Sequence, residues 1–100
     1  MPDTDPATST LSATSLGGPG APDPQKCSQH AMALLGEAAG DDMRLASLSI
    51  DVTSHPLGDA PVDVTVRVDK RARSIVFASI EARSEGRLVY SAQGLFSRAG

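Results

Sequence analysis

The chain has 100 residues, 40% of them apolar and only 3% aromatic, with a formal net charge of −3. It can hold one domain at most. Its acidity argues against nucleic acid or an anionic membrane surface as partner, and no apolar run is long enough for a transmembrane helix. With Phe77, Tyr90 and Phe96 as the aromatic side chains, the core must be filled by Val, Ile, Leu and Ala. A monomer this small is marginal, and oligomerisation is a common remedy.

Residues 1–22 are dominated by Ser, Thr, Pro, Gly and Ala, with Met1, Leu11 and Leu16 as the larger apolar groups. Too little apolar surface is present to offset the entropy of ordering, so this stretch is expected to be a disordered tail before a domain at 23–100. Asp23 to Gly40 follows, the one stretch with a strong helical signature. Asp23 suits the N-cap, Pro24 the first helical position, and Gly40 a left-handed terminator. Cys27, Ala31, Leu34, Leu35 and Ala38 recur at helical spacing and predict one buried stripe. Cys27 stands alone, which excludes an intramolecular disulfide and suits a reducing compartment. No basic and apolar leader opens the sequence, so a cytoplasmic location is expected.

Four strands are predicted after the helix. In Leu45 to Thr53, Leu48, Ile50 and Val52 alternate with Ser49 and Asp51. The cluster SHPLGDAP is a turn. Val62 to Asp69 alternates without a break, valines at 62, 64, 66 and 68 against polar residues between them, which predicts a strand with one wet face. Lys70, Arg71 and Ala72 read as a basic turn. Ser74 to Arg83 places Val76, Ala78, Ile80 and Ala82 on one face, and after a Ser84–Glu85–Gly86 turn a last strand runs from Arg87 to about Ser97. Short connections favour antiparallel neighbours in a meander. One alanine-rich helix against the apolar face of that sheet makes an α+β two-layer domain.

Three stretches carry a resemblance: LASLSIDVTSHPLGDAPVDVTVRV, RARSIVFASIEA and EGRLVYSAQGLFSR. Their order and spacing resemble the hotdog-fold acyl-CoA thioesterases related to those of the phenylacetate pathway, over roughly Cys27 to Phe96. The resemblance implies an antiparallel four-stranded sheet wrapped around one central helix, paired with a second copy into a continuous sheet as a homodimer or dimer of dimers. It implies hydrolysis of a small or aromatic acyl-CoA without a prosthetic group, coenzyme A being part of the substrate. The family's first strand and the His-Gly-Gly turn before its helix are absent; aligned on the acidic residue of the helix, Ser28, Gln29 and His30 fall at that turn.

What the resemblance implies for particular residues can be set against their simpler readings. Glu37 matches the helix carboxylate that serves as nucleophile or general base, and a partner subunit that screened it from water would keep it reactive; otherwise it is a solvent-facing Glu, possible partner of Arg44. His30 matches a proton donor or a group that holds the thioester carbonyl near the helix-start amides, or else faces solvent. Ser47 matches a water-holding residue on the strand beside the site, or is simply a polar-face residue. Lys70, Arg71 and Arg73 fall where coenzyme A phosphates lie near the family's basic turn, or form a solvated turn. Cys27 lacks a base nearby and reads as packing, and the two His and one Cys match no metal spacing. A non-catalytic hotdog homologue that binds acyl-CoA or serves as an assembly partner is the alternative function, and an unrelated α+β interaction module a third.

Overall fold

The computed structural model describes residues 6–98. Helix α1, Pro24–Ala39, begins where the sequence predicts: the Asp23 carboxylate accepts from the Gln25 amide at 3.0 Å, and Pro24 occupies the first turn. Cys27, Ala31, Leu35 and Ala39 are buried, with Leu34 and Ala38 partly buried beside them. Gly40 stops the helix at φ 111, but with an extended ψ of 159 rather than in the left-handed helical state expected of it.

Five strands form one antiparallel sheet: β1 (Ala7–Leu11), β2 (Met43–Val52), β3 (Val62–Arg71), β4 (Ile75–Ser84) and β5 (Arg87–Arg98), in the order β1-β3-β4-β5-β2. One face carries Val62, Val64 and Val66 of β3, Val76, Ala78, Ile80 and Ala82 of β4, and Tyr90, Ala92 and Phe96 of β5, all buried. These residues and the stripe of α1 make a single core. The small side chains explain the geometry, because Ala78, Ala82 and Ala92 let the helix lie close to the sheet. Burying the Leu35 side chain in this layer contributes about 1.5–3 kcal/mol.

The α+β class and the helix-on-sheet packing are as expected; the sheet is larger than expected at one edge. Residues 7–16 belong to the stretch expected to be a disordered tail, yet Ala7–Leu11 pairs with β3, from Ala7 opposite Val66 to Leu11 opposite Val62. A short 3-10 helix, Ala13–Leu16, then buries Ala13 and Leu16, the latter with no exposure. Backbone pairing rather than side-chain burial holds β1, whose residues are almost all exposed. Residues 17–22, also expected in the tail, are tied down by backbone hydrogen bonds from Gly18 to Ala13 and between Gly20 and Leu57; residues 1–5 of that tail lie outside the described residues.

The predicted meander holds for β3, β4 and β5 only. Strand β2 pairs with β5, so the 53–61 loop crosses from one side of the sheet to the other. Its middle is tied to the chain that leads into α1, with Gly20 and Leu57 exchanging backbone hydrogen bonds of 2.9 and 2.7 Å. Three bulges complete the pattern, one of them at Val89 of β5, between Leu88 opposite Arg83 and Tyr90 opposite Ala82. Ala46 is an extra residue of β2, between Leu45 opposite Phe96 and Ser47 opposite Leu95. Asp69 is an extra residue of β3, between Val68 opposite Ala78 and Lys70 opposite Phe77.

Candidate active site

Helix α1 presents His30 one position before the buried Ala31, on the flank of its apolar stripe. From β5 the only tyrosine of the chain, Tyr90, stands on the helix-facing side with no exposure. The Tyr90 hydroxyl lies 2.7 Å from His30 Nδ1, and the two rings meet edge to face, 5.9 Å apart between centroids at 90°. This is the one contact between acid–base side chains on the helix-facing side of the sheet among the described residues. Tyr90 was not singled out from sequence. The signal was nevertheless present, because a tyrosine on the buried face of an apolar strand must find a partner for its hydroxyl.

Burial sets the ionisation of this cluster. It lowers the His30 pKa from its ordinary 6.5, raises that of Tyr90, with the nearby Cys27 adding to the effect, and pushes the Cys27 thiol up to about 11, helped by the Asp23 charge. Cys27 therefore stays a thiol at neutral pH and packs in the core, as its place on the stripe suggests. For His30 the linkage runs one way: the unfolded chain binds a proton below about its ordinary 6.5, where the folded chain resists it. Its contribution to stability is complete above 6.5 and is lost as the pH falls through the lower folded value. Denaturant melts from neutral pH downward should show this loss, and His30→Gln should remove that part of the slope.

The other sequence candidates do not gather around His30. Residues 28–30 lie inside α1, not in a turn before it as the alignment on Glu37 implies. The turn is instead closed by Asp23, whose carboxylate already takes the Gln25 amide and whose carbonyl accepts from Cys27 N at 3.0 Å. Glu37 is exposed in the last turn of α1 and is the helix's one carboxylate. Among the described residues it makes no ion pair with Arg44; the two pairs are Arg83 with Glu81 and Arg98 with Asp42. Ser47 lies on the sheet face away from the helix, opposite Leu95 and in phase with Ser49 and Asp51. It is not beside the site.

The basic cluster also divides. Strand β3 continues through Arg71, so only Ala72 to Ser74 is the turn. The Asp69 bulge turns Lys70 to the outer face, opposite Phe77, and Arg71 to the helix side, opposite Val76. Arg71 then donates to the carbonyls of Ala39 at 3.0 Å and Ala38 at 2.9 Å. The last turn of α1 has no basic residue of its own, so Arg71 supplies the cation that the negative end of the helix favours. Arg71→Ala should cost about 1 kcal/mol in chemical denaturation, and Arg71→Lys should recover only part of it, since a single ammonium cannot fork to two carbonyls. Arg73 sits in the turn, where its carbonyl accepts from Arg98 at 2.7 Å. The three basic residues thus do not converge on one phosphate. Among the described residues, no three His, Cys, Asp or Glu side chains assemble as metal ligands would.

No protein-family model matches the sequence, and no curated protein matches it either. Solved structures do match. The PaaI protein of the Escherichia coli phenylacetic acid degradation operon is 18% identical, with a TM-score of 0.74 over 95% of this chain and 72% of that one. A hypothetical thioesterase from Streptococcus pneumoniae, solved with coenzyme A, is 17% identical with a TM-score of 0.74, covering 95% and 77%. A Streptococcus mutans protein bound to acetyl-CoA is 14% identical with a TM-score of 0.75, covering 95% and 80%. At these identities the likeness is one of fold: the chain has the hotdog fold, a helix packed on one face of an antiparallel sheet.

Proposed function

We propose that the protein is a thioesterase-like acyl-CoA hydrolase acting on a small or aromatic acyl group, with coenzyme A entering only as part of the substrate and no prosthetic group taking part. The observation that carries this reading is the match over 95% of the chain to hotdog structures that hold coenzyme A or acetyl-CoA. Glu37, the helix's carboxylate, is the group assigned to attack or to activate water. Being exposed in a single chain, it needs a second subunit to exclude solvent before it can act as a base. Lys70 and Arg73, both exposed, remain for the phosphates of coenzyme A once Arg71 is committed to the helix.

The proposal includes self-association, which the open edge of the sheet supports. Strand β2 is the open edge of the sheet beyond β5, ten residues long, with Leu48, Ile50 and Val52 only partly covered. Met32 of α1 is 40% exposed. An unpaired edge of that length invites pairing, and two copies joined through β2 would form one continuous sheet. The described helix is neither long nor apolar enough to cross a membrane, and the buried free thiol of Cys27 suits the reducing cytoplasm to which we assign the protein.

A second reading, a non-catalytic homologue that binds acyl-CoA, is favoured by the exposure of Glu37 and by the Asp23 carboxylate on the helix start, where it opposes a developing oxyanion. Hydrolysis and binding of a panel of small and aromatic acyl-CoA esters by wild type and Glu37→Gln separate the two. Turnover that drops at least about a hundredfold in the variant, with binding kept, is the expected result for the hydrolase. Binding without turnover in either protein would establish the second reading, and neither would reject both.

A further inference from the structure

Resting on the self-association proposed above, we propose that β2 pairs with the β2 of a second copy in one register, centred on Leu48. This register sets Arg44 opposite the partner's Asp51 and seats the exposed Asp41 against the partner's His55 and Arg87. Arg44 and Asp51 stand near the two ends of β2, both exposed. Neither takes part in an ion pair among the described residues, where the two pairs are Arg83 with Glu81 and Arg98 with Asp42. Both belong to the outer face, Arg44 opposite Ser97 and Asp51 opposite Ser91 of β5. Two unpaired charges of opposite sign on one face of an open edge can be joined by antiparallel self-pairing, once on each side of the two-fold axis.

Facing limits the register. Residues directly opposite in an antiparallel pair share a face, so the second strand can slide only in steps that keep outer side chains against outer ones. With Leu48 at the centre, Ser47 meets the partner's Ser49. Beyond the extra residue Ala46, Leu45 meets the partner's Ile50, Arg44 the partner's Asp51 and Met43 the partner's Val52. The inner side thus joins apolar residues, including Leu45, which is 36% exposed in the single chain. Centring on Ser47 instead would set Asp51 opposite the partner's Asp42. Centring on Ser49 would set Arg44 opposite the partner's Thr53 and Asp51 opposite the partner's Ser47. Opposite charges across a strand pair stabilise it and like charges destabilise it, so the Leu48 register is the favoured one.

The same register carries the turn between α1 and β2 of one copy past the end of the other's β2. A groove of about 660 Å³ lies there, lined by Asp51, Val52, Thr53, His55, Arg87 and Leu88. Arg87 is in neither ion pair among the described residues. Asp41 is exposed and outside both pairs as well, and in this register it falls opposite the partner's Ser54, next to the partner's His55. Each charge in the groove is thereby answered, Asp51 by an arginine and Arg87 by an aspartate of the second copy. Glu85 lines the neighbouring hollow together with Arg87, so the Arg44–Asp51 pair carries more of the specificity. Because the turn follows α1 directly, this docking draws the last turn of the helix, with Glu37, toward the partner.

Sedimentation across a concentration series and cysteine cross-linking decide this. Arg44→Glu and Asp51→Arg should each raise the dimer dissociation constant at least about tenfold, because every contact occurs twice, and the double variant should regain most of the wild-type affinity. Both residues are exposed on the outer face, so thermal melts of the variants should match the wild type. Asp41→Lys should weaken the dimer severalfold and Arg87→Glu added to it should reverse that loss; no reversal would remove the groove contact from the scheme. Under mild oxidation Leu48→Cys should form an intermolecular disulfide, since opposite Cα atoms stand about 4.5–5.5 Å apart, within reach of the bond. Ser47→Cys and Ser49→Cys should not, and the native Cys27 is buried. Cross-linking through Ser47→Cys or Ser49→Cys instead, or a double charge variant no tighter than the single ones, would overturn the register while leaving self-association intact. A wild type that stays monomeric at every concentration would reject self-association itself and the register with it.

Discussion

Val64→Asp should abolish folding, seen as the loss of the cooperative thermal transition and of the near-ultraviolet signal of Tyr90. Val64 has no exposure and sits in the centre of the helix-facing side of β3, between Ser9 of β1 and Ala82 of β4. Among the described residues the core cluster around it is apolar, with no cation to pair with a carboxylate. The effective penalty for an unpaired buried ion is several kcal/mol, which rivals the whole stability of a domain, about 5–15 kcal/mol. Val66→Asp should act the same way, slightly less severely because Val66 keeps 8% exposure. Thr65→Asp is the control, on the outer face opposite Thr8 and Glu81. It should cost at most about 1 kcal/mol, most of that from setting a like charge across from Glu81. Tolerance of both valine substitutions would mean that β3 is paired one residue out of register.

Gly94→Val should lower stability by about 1–3 kcal/mol, with a fall in melting temperature of about 4–8 °C per kcal/mol. Gly94 lies on the helix-facing side of β5, opposite Ala78 and Leu48. A methyl group there would stand 2.9 Å from Phe96 Cε1 and 3.3 Å from Leu35 Cδ1. Phe96 and Leu35 are 2% and 0% exposed, so neither can swing aside into solvent. The helix rests on the sheet at this point because the strand has no side chain there. Gly36, in α1, is the contrast: a methyl group added to it meets nothing within 4 Å. Gly36→Ala should raise stability by about 0.5–1 kcal/mol through helix propensity alone. Urea melts of the two variants side by side check both signs.

The strands legible in the sequence were those that alternate apolar and polar residues, and β3 and β4 lie within two residues of where that alternation puts them. Helix α1 was legible from its cap and stripe. Strand β1 was not, because its sequence ATSTL has no alternation: it is held by backbone hydrogen bonds to β3, which leave no trace in hydropathy. The place of β2 beside β5 was also hidden, since nothing in the spacing of SHPLGDAP tells a hairpin turn from a crossover. The candidate site was legible only in His30. Its partner Tyr90 comes from sixty residues away, and pairing at that separation depends on strand order. Ser47 was legible as a polar-face residue from its phase with Ser49 and Asp51, whereas the facing of Arg71 was hidden, because a single inserted residue in a strand reverses every facing beyond it.

That last point makes the bulges of β2 and β3 act on facing as a reading frame acts on codons. Deleting Asp69 would remove almost no mass and break no secondary structure, yet it would exchange the roles of the two residues that follow, sending Lys70 toward α1 and Arg71 to the outer face. The end of the helix would then lose its cation through a change of phase rather than of composition. Deleting Ala46 would do the same to Met43, Arg44 and Leu45, drawing Arg44 inward where Leu45 now packs against Gly94. In this fold the length of a strand segment is information, and a one-residue indel at either bulge is a more radical mutation than most substitutions.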